Sequence, residues 1–245
     1  MCGRYVRRSD KQRIAEHFQV HGLSLPDFGP SWNVARQTFQ PVIRLNRDTG
    51  EREIVLMRWG LVPFWARDAK VSYSTINAQA ETITISPTYR EAFKQRRCLG
   101  PADAFYEWQK IDSKTKQSFA IALKTGEPYA FAGLWERWRN ADAGTALRSF
   151  AIVTTDPNEV VQPLHNRMPV IVPERDYDRW LNAGPDRPPI DLLRPYDADK
   201  MTAWKVDKAV GNVKNDSPEL IEPASAAPES SENRSPEAPG SLFDA

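Results

Sequence analysis

Short apolar stretches punctuated by turn residues dominate the hydrophobic pattern of this chain. Ser9-Asp10-Lys11-Gln12 reads as a capping box, and Ile14, Ala15 and Phe18 behind it mark the buried stripe of a short helix ending near Val20. A loop through residues 26–30 leads past Ser31-Trp32-Asn33-Val34 to an apolar strand at 41–45. Asp48-Thr49-Gly50 is a turn signal, so a strand at 54–57 is expected to fold back as a hairpin. The aromatic, Pro-punctuated stretch 58–65 is not helical. Ser86-Pro87 predicts a second helix running to about residue 95, with Ser86 as N-cap and Pro87 at the first helical position. Strands are expected at 96–99, 105–110, 118–123, 129–134, 149–154 and 170–172, then a helix over 174–181 and a last strand over 202–206. Many strands and few helices, in no regular alternation, predict an α+β fold. Its centre is a strongly curved, barrel-like antiparallel β-sheet with a few flanking helices.

The pattern stops near residue 223, where Pro, Ser, Ala and Glu take over. Residues 1–222 therefore read as one folded domain and 223–245 as a disordered acidic tail. A chain of 245 residues with 40% apolar content has enough material for one large core. No apolar run approaches the ~20 residues of a membrane span, and the first residues lack the apolar centre of a secretory signal. Two cysteines, Cys2 and Cys98, make no disulfide framework, so a reducing cytoplasmic setting is expected. The formal net charge is only +1, but residues 222–245 hold five acids against Arg234, which leaves +5 on residues 1–221. A mildly basic body is compatible with a nucleic-acid partner.

The second residue changes the picture most. Once Met1 is removed, Cys2 carries a free α-amine and a thiol on adjacent carbons. A 1,2-aminothiol takes an aldehyde: the amine condenses to a Schiff base and the thiolate closes on the imine carbon, giving a thiazolidine. An α-amine titrates near pKa ~7.8, so roughly a seventh is neutral at pH 7. A free thiol titrates near ~8.5, and the cation of Arg4 is expected to lower it.

Three further polar residues occupy stretches that should be buried or rigid. Asn77 lies between Ile76 and Ala78. Glu107 is flanked by Tyr106 and Trp108, company that raises a carboxylate's pKa and lets it move protons near neutrality. The alternative for Glu107 is a strand face turned to solvent. His165 sits in a Pro-Leu-His-Asn-Arg-Met-Pro loop, and the other two histidines lie in the N-terminal helix region, so an acid/base histidine would be His165. Cys2, Cys98 and His165 match no zinc spacing, and no metal or organic cofactor is expected. Cys98 reads as a buried inert thiol. Arg4, Arg58, Trp59, Phe64, Trp65, Trp108 and Arg167 interleave cations with rings, which suits single-stranded nucleic acid. Core tryptophans and solvated surface arginines would give the same list.

Seven segments now stand in order: Met1-Cys2-Gly3-Arg4-Tyr5, Asn33-Val34-Ala35, Met57-Arg58-Trp59-Gly60-Leu61-Val62-Pro63, Thr75-Ile76-Asn77-Ala78, Pro101-Ala102-Asp103-Ala104-Phe105-Tyr106-Glu107-Trp108, His165-Asn166-Arg167-Met168-Pro169 and Gly211-Asn212-Val213-Lys214-Asn215. Together they resemble the SOS-response-associated peptidase (SRAP) family, also called abasic site processing proteins, from Cys2 to about residue 223. The resemblance implies a DNA-repair enzyme that crosslinks through Cys2 to the open-chain aldehyde of an abasic site in single-stranded DNA. It implies that Asn77 positions Cys2 or the sugar, that Glu107 shuttles protons, and that His165 assists sugar ring opening and slow reversal. Implied DNA contacts are Arg4, Asn33, Arg58 and Trp65, with Gln79, Trp108, Thr154 and Arg167. Removal of the protein's own Met1 belongs to the same implication, although ordinary methionine processing would suffice before a small second residue. A cytoplasmic, nucleoid-associated monomer is the expected form.

Three positions depart from the family's pattern. Gln79 stands where the family usually has an Arg that contacts phosphate, which should flatten the salt dependence of DNA binding by about one phosphate. Arg36 replaces a usual Pro and could restore that charge. Ala104 replaces a usual Gly. In the tail, Ser241-Leu242-Phe243 is similar to the Leu-Phe peptides that dock on the bacterial sliding clamp, so Leu242 and Phe243 are candidate clamp contacts. Two rival readings stay open: an N-terminal-nucleophile amidohydrolase, which also begins Met-Cys-Gly, and a non-catalytic module that binds single-stranded DNA.

Overall fold

The computed structural model describes residues 2–21, 25–139 and 144–224. The tail beyond residue 224, with Leu242 and Phe243, lies outside the described residues. In chain order the first elements are β1 (Arg4–Arg7), α1 (Lys11–His17), β2 (Ser31–Ala35), β3 (Phe39–Leu45), β4 (Arg52–Trp59), β5 (Asn77–Gln79) and α2 (Arg90–Gln95). There follow β6 (Arg97–Ala102), β7 (Ala104–Lys110), β8 (Lys116–Leu123), β9 (Tyr129–Arg139) and β10 (Ala146–Thr155). The chain continues through β11 (Met168–Pro169), β12 (Ile171–Val172), α3 (Tyr177–Asn182) and β13 (Met201–Lys205).

Five strands close on themselves in the order β10, β4, β3, β6, β9 and back to β10, forming a barrel. The barrel confirms the expected curvature, but the sheet is not wholly antiparallel. β10 runs parallel to β4, with Phe150 opposite Trp59, and parallel to β5, with Ile152 opposite Asn77. A second sheet, in the order β13, β8, β7, β1, β2, packs beside it. The chain crosses from one to the other at Asp103, between β6 and β7. There the Asp103 backbone N–H donates to the Val6 carbonyl at 2.8 Å. Closure leaves the barrel with no free edge along that ring, which is why sequence-distant strands can hold one another without a helix between them.

Three clusters make up the buried apolar material. One packs α1, α2 and α3 on the barrel through Ile14, Phe18, Phe93 and Trp180. A second joins the two sheets through Tyr5, Trp59, Phe105, Phe131 and Phe150, and it also holds Cys2. A third lies around Val6, Tyr106, Ala120 and Val206. In the second, the Tyr5 ring meets Trp59 and Phe131 edge-on at 5.3 and 5.6 Å, the geometry aromatic quadrupoles prefer.

Local signals were moved by tertiary contacts. The cap of α1 is Asp10, whose side chain accepts from the Arg13 N–H at 2.9 Å, not Ser9. Ser9 is buried and gives its N–H and hydroxyl to the Asp103 carboxylate at 2.9 and 2.6 Å. The second helix starts three residues later than Ser86-Pro87 suggests, at Arg90, after a turn in which the Ser86 carbonyl takes the N–H groups of Tyr89 and Arg90. The third opens with a 3-10 turn, Glu174–Asp176, before α3. β1, β2 and β5 show no apolar alternation and carry the polar residues Arg4, Asn33 and Asn77. Ala104 sits in regular β7 opposite Val6, and the described non-glycine residues with positive φ are Gln19 and Gln37, so Ala104 meets no left-handed requirement.

Gly60 does meet one. Its φ is +133°, and a Cβ there would lie 2.4 Å from Gln37 Nε2 and 2.6 Å from the Ser72 carbonyl. Those two groups are hydrogen-bonded to each other at 2.8 Å, leaving nowhere for a methyl to go. Gly60→Ala is expected to lower folding stability by about 2–3 kcal/mol, seen as a lower urea midpoint with an unchanged slope. An unaltered midpoint would mean that this turn yields freely.

Candidate active site

Cys2 precedes β1, which lies between β2 and β7 with Tyr5 opposite Val34 on one side and Phe105 on the other. That central place in the second sheet draws the start of the chain inward, and Cys2 is fully buried. Its thiol points to the Arg4 carbonyl at 3.9 Å. From the barrel side, β5 brings Asn77 alongside, and Asn77 Nδ2 donates to the Cys2 carbonyl at 2.9 Å. The backbone carbonyl of Asn77 is itself fixed by the Tyr89 hydroxyl at 2.9 Å. Asn77 Oδ1 is buried without a hydrogen-bond partner.

Glu107 comes from β7, opposite Phe119 of β8. It is buried, which settles the choice left by the sequence: this carboxylate does not face solvent. Burial pushes its pKa up to about 7, with a bond from the Trp108 N–H pulling the other way. Glu107 Oε1 also lacks a partner among the described residues. His165 lies in the loop before β11, and its Nδ1 accepts the Arg167 backbone N–H at 3.0 Å. Leu164 and Met168 on either side of it join the cluster that holds Cys2, and Gln109 Nε2 ties Pro163 to the end of β7 at 3.2 Å. Burial lowers the His165 pKa. The structure thus gathers Cys2, Asn77, Glu107 and the His165 loop from four separate parts of the chain.

One expectation is corrected. Arg4 does not activate the thiol: its guanidinium turns away to Asn33 Oδ1 at 2.7 Å and to the carbonyls of Val210 and Gly211 at 3.0 and 3.2 Å. Burial, and then the Glu107 charge, push the Cys2 thiol well up. Cys2 is therefore a thiol at neutral pH and needs a base to take its proton, for which a carboxylate titrating near 7 is suited.

The remaining expected contacts divide. Arg4 and Asn33 serve structure: Asn33 is buried and its Nδ2 donates to the carbonyls of Val210, Asn212 and Asn215 at 3.2, 3.0 and 2.7 Å, pinning the last motif of the chain. Thr154 is buried, its hydroxyl 3.5 Å from the Ala78 carbonyl. Gln79, opposite Thr154, is exposed. Trp108 is half-buried against the third cluster beside Trp32 and Trp204. Arg58 is half-buried and donates to Ser72 Oγ at 3.2 Å. The rings of Phe64 and Trp65 are 58% and 53% exposed, too much for core residues. Phe39, 56% exposed and opposite Arg58 on the neighbouring strand, and Tyr73, 63% exposed, extend this aromatic and basic surface, and no local motif marks either. Arg36 is exposed and its charge acts on Arg4. Arg167 is tied to Glu81, Asp156 and the Thr154 carbonyl.

Among the described residues no three His, Cys, Asp or Glu side chains converge as a metal site would require. A 630 Å³ cavity between the ends of α1 and α3, lined by Arg52, Tyr177, Arg194 and Lys200, contains none of the four candidate residues.

A family model described as SOS response associated peptidase (SRAP) matches residues 1–213. The chain belongs to the SRAP family. It is 42% identical over 226 residues to the abasic site processing protein YoqW of Bacillus subtilis (strain 168), covering 91% of this chain and 99% of the relative. The abasic site processing protein HMCES of Xenopus tropicalis is 30% identical over 224 residues, covering 79% of this chain and 66% of the relative. The fold is similar to that of a Bacteroides thetaiotaomicron protein solved by X-ray crystallography. That similarity has a TM-score of 0.78 at 25% identity, over 91% of this chain and all of the other. The SRAP match takes in all four candidate positions and stops at residue 213, inside the loop that Asn33 holds.

The raised pKa of Glu107 has a stability consequence with a definite sign. Between its unfolded value near 4.5 and about 7 the folded state binds more protons than the unfolded state. Stability is therefore fully present below pH 4.5 and lost as pH rises through 7. Glu107→Gln removes this loss: at pH 8 the variant is expected to be more stable than wild type by up to about 3 kcal/mol, and equal to it near pH 4. Denaturant melts of both proteins at the two pH values check it. A variant less stable at pH 8 would show that the charged carboxylate is well solvated.

Proposed function

We propose that this SRAP protein forms a covalent thiazolidine between Cys2 and the aldehyde of an abasic site in single-stranded DNA. The observation that carries the reading is the pairing at Cys2: Asn77 grips its carbonyl, and a buried carboxylate titrating near 7 acts on its thiol.

Removal of Met1 frees the Cys2 amine. The amine adds to C1′ of the open sugar and water leaves, giving a neutral imine carbon. Glu107 takes the thiol proton, and the sulfur closes on that carbon to form the C–S bond. The proton goes from Glu107 to the ring nitrogen, so the sum of the two stages is aminothiol plus aldehyde giving thiazolidine plus water. Glu107 acts in both directions because its pKa lies near the working pH. Asn77 fixes the residue by its carbonyl, which leaves amine and thiol to the aldehyde. His165 acts on the sugar oxygen during ring opening and reversal.

DNA would lie across Arg58, Trp65, Gln79 and Trp108, where exposed rings can stack on bases and cations can meet phosphates. Arg36 is the candidate for the charge missing at Gln79. Such a substrate places the protein in the cytoplasm with the nucleoid. Mixing protein with an abasic oligonucleotide and running a denaturing gel tests the reading. A shifted, covalent band supports it. Ammonia release from glutamine would favour an amidohydrolase instead, and binding without any band would leave a DNA-binding module.

A further inference from the structure

We propose that Glu81 is a positioning residue for His165, acting through Arg167 to hold the imidazole in the tautomer with its proton on Nε2. The functional meaning of that assignment rests on the reading of His165 as a participant in the abasic-site reaction.

The geometry starts from β5. Its pairing with β10 puts Gln79 opposite Thr154 and leaves Glu81 in the 3-10 turn that follows, Ala80–Thr82. Glu81 meets the Arg167 guanidinium as a two-armed pair, Nη1 to Oε1 at 2.7 Å and Nη2 to Oε2 at 2.9 Å. A planar fork matched to a planar carboxylate restrains orientation as well as distance. Nη1 also reaches Asp156 at 3.3 Å, and Nη2 donates to the Thr154 carbonyl at 2.8 Å. Arg167 is thus anchored to β10, to the residue after it and to the turn after β5. It is the only arginine among the described residues whose ion pairs reach two carboxylates. Its Nη groups are committed to these bonds, so the side chain fixes its own backbone.

That backbone carries the consequence. The Arg167 N–H donates to His165 Nδ1 at 3.0 Å. A nitrogen that accepts a hydrogen bond holds no proton, so neutral His165 must carry its proton on Nε2. The turn from residue 165 to 167 spans one intervening residue, and its shape depends on where Arg167 is held. Releasing the guanidinium frees the N–H to leave Nδ1, and the imidazole can then take either tautomer. Through this chain of contacts a carboxylate 84 positions earlier in the sequence decides which ring nitrogen can donate. It makes His165 a neutral Nε2–H hydrogen-bond donor toward the sugar oxygen, with no free Nδ1 to act as a base.

The test uses full-length protein labelled with ¹⁵N, without DNA, and long-range ¹H–¹⁵N spectra of the histidine rings. Signals of His165 are assigned by their loss in His165→Gln. Wild type is expected to show the Nε2–H tautomer alone. Glu81→Ala is expected to show a mixture of the two, and Glu81→Asp to return toward the wild-type pattern. Reversal of a preformed crosslink should slow by about 10-fold in Glu81→Ala and recover in part in Glu81→Asp. Should Glu81→Ala fold poorly, Glu81→Gln, which keeps the shape and loses the charge, answers the same question. A single, unchanged tautomer in Glu81→Ala, or in Glu81→Gln where that is the variant that folds, overturns the proposal. Because the spectra are taken without DNA, a failure of the abasic-site reading leaves this readout intact.

Discussion

Cys2→Ala protein, mixed with an abasic single-stranded oligonucleotide, is expected to give no band that survives a denaturing gel, where wild type converts the oligonucleotide to a slow-migrating species. The variant still has an α-amine, and that amine can still condense with the aldehyde. A Schiff base hydrolyses on dilution and heating, so only the C–S bond makes the product persist. Adding borohydride before denaturation should therefore restore a band with Cys2→Ala by reducing the imine. The pair of results separates the two stages: trapping without a stable band assigns the amine to the first and the thiol to the second. The buried state of Cys2 sharpens the expectation. A thiol pushed well above its ordinary pKa is a poor nucleophile on its own, so the rate should follow the ionisation of Glu107 near 7 and not that of a free thiol. A durable band from Cys2→Ala without borohydride would move the nucleophile elsewhere and end the reading.

Arg97→Met should be the most destabilising single change among the polar residues, about 3–5 kcal/mol. Arg97 is buried, and its guanidinium donates to the carbonyls of Trp180 at 2.6 Å, Phe93 at 2.5 Å and Lys94 at 2.8 Å, and to that of Ala183. Those carbonyls close the C-terminal turns of α2 and α3, which have no intrahelical partners and carry the negative end of each helix dipole. One cation thus caps two short helices and fastens both to β6. No carboxylate neutralises it among the described residues. Burial lowers its pKa to about 10, which keeps it charged at any ordinary pH. Met fills the volume but leaves four acceptors without donors, and each such loss costs about 1–3 kcal/mol before relaxation. Arg97→Lys should recover only part, because a single ammonium cannot reach carbonyls on both helices. Thermal melts should place the Met variant roughly 10 °C below wild type. A loss under about 1 kcal/mol would mean that water caps both helices equally well.

Arg97 also shows where sequence reading runs out. In the sequence it is one basic residue before Cys98 at the start of a predicted strand, and nothing local marks it as buried. Its role exists only because α2 and α3, some ninety residues apart, end beside the same strand. Thr154 shows the same limit from the other side: its burial inside β10 is not marked in its segment. Arg4 and Asn33 were legible as important but not as clasps on residues 210–215, since that contact joins the two ends of the domain. Phe39 and Tyr73 were silent because an exposed aromatic and a core aromatic look alike until burial is known.

Strand-rich composition and turn spacing determined a curved sheet with few helices, since short apolar runs cut by Gly, Pro and Asp can form little else. The adjacency of amine and thiol that removal of Met1 would create at Cys2 was enough to suggest aldehyde chemistry, because both groups sit on one residue and need no fold to meet. Asn77, Glu107 and His165 were readable from their segments as candidates. Tertiary structure alone decided that the barrel closes, that β5 and β10 run parallel, and that Asn77 thereby reaches the Cys2 carbonyl. It alone decided the proton affinities: burying Glu107 beside a buried thiol raises both, reversing the activated thiolate that Arg4 suggested in the sequence. Desolvation depends on everything packed around a group, and no local stretch of sequence contains that.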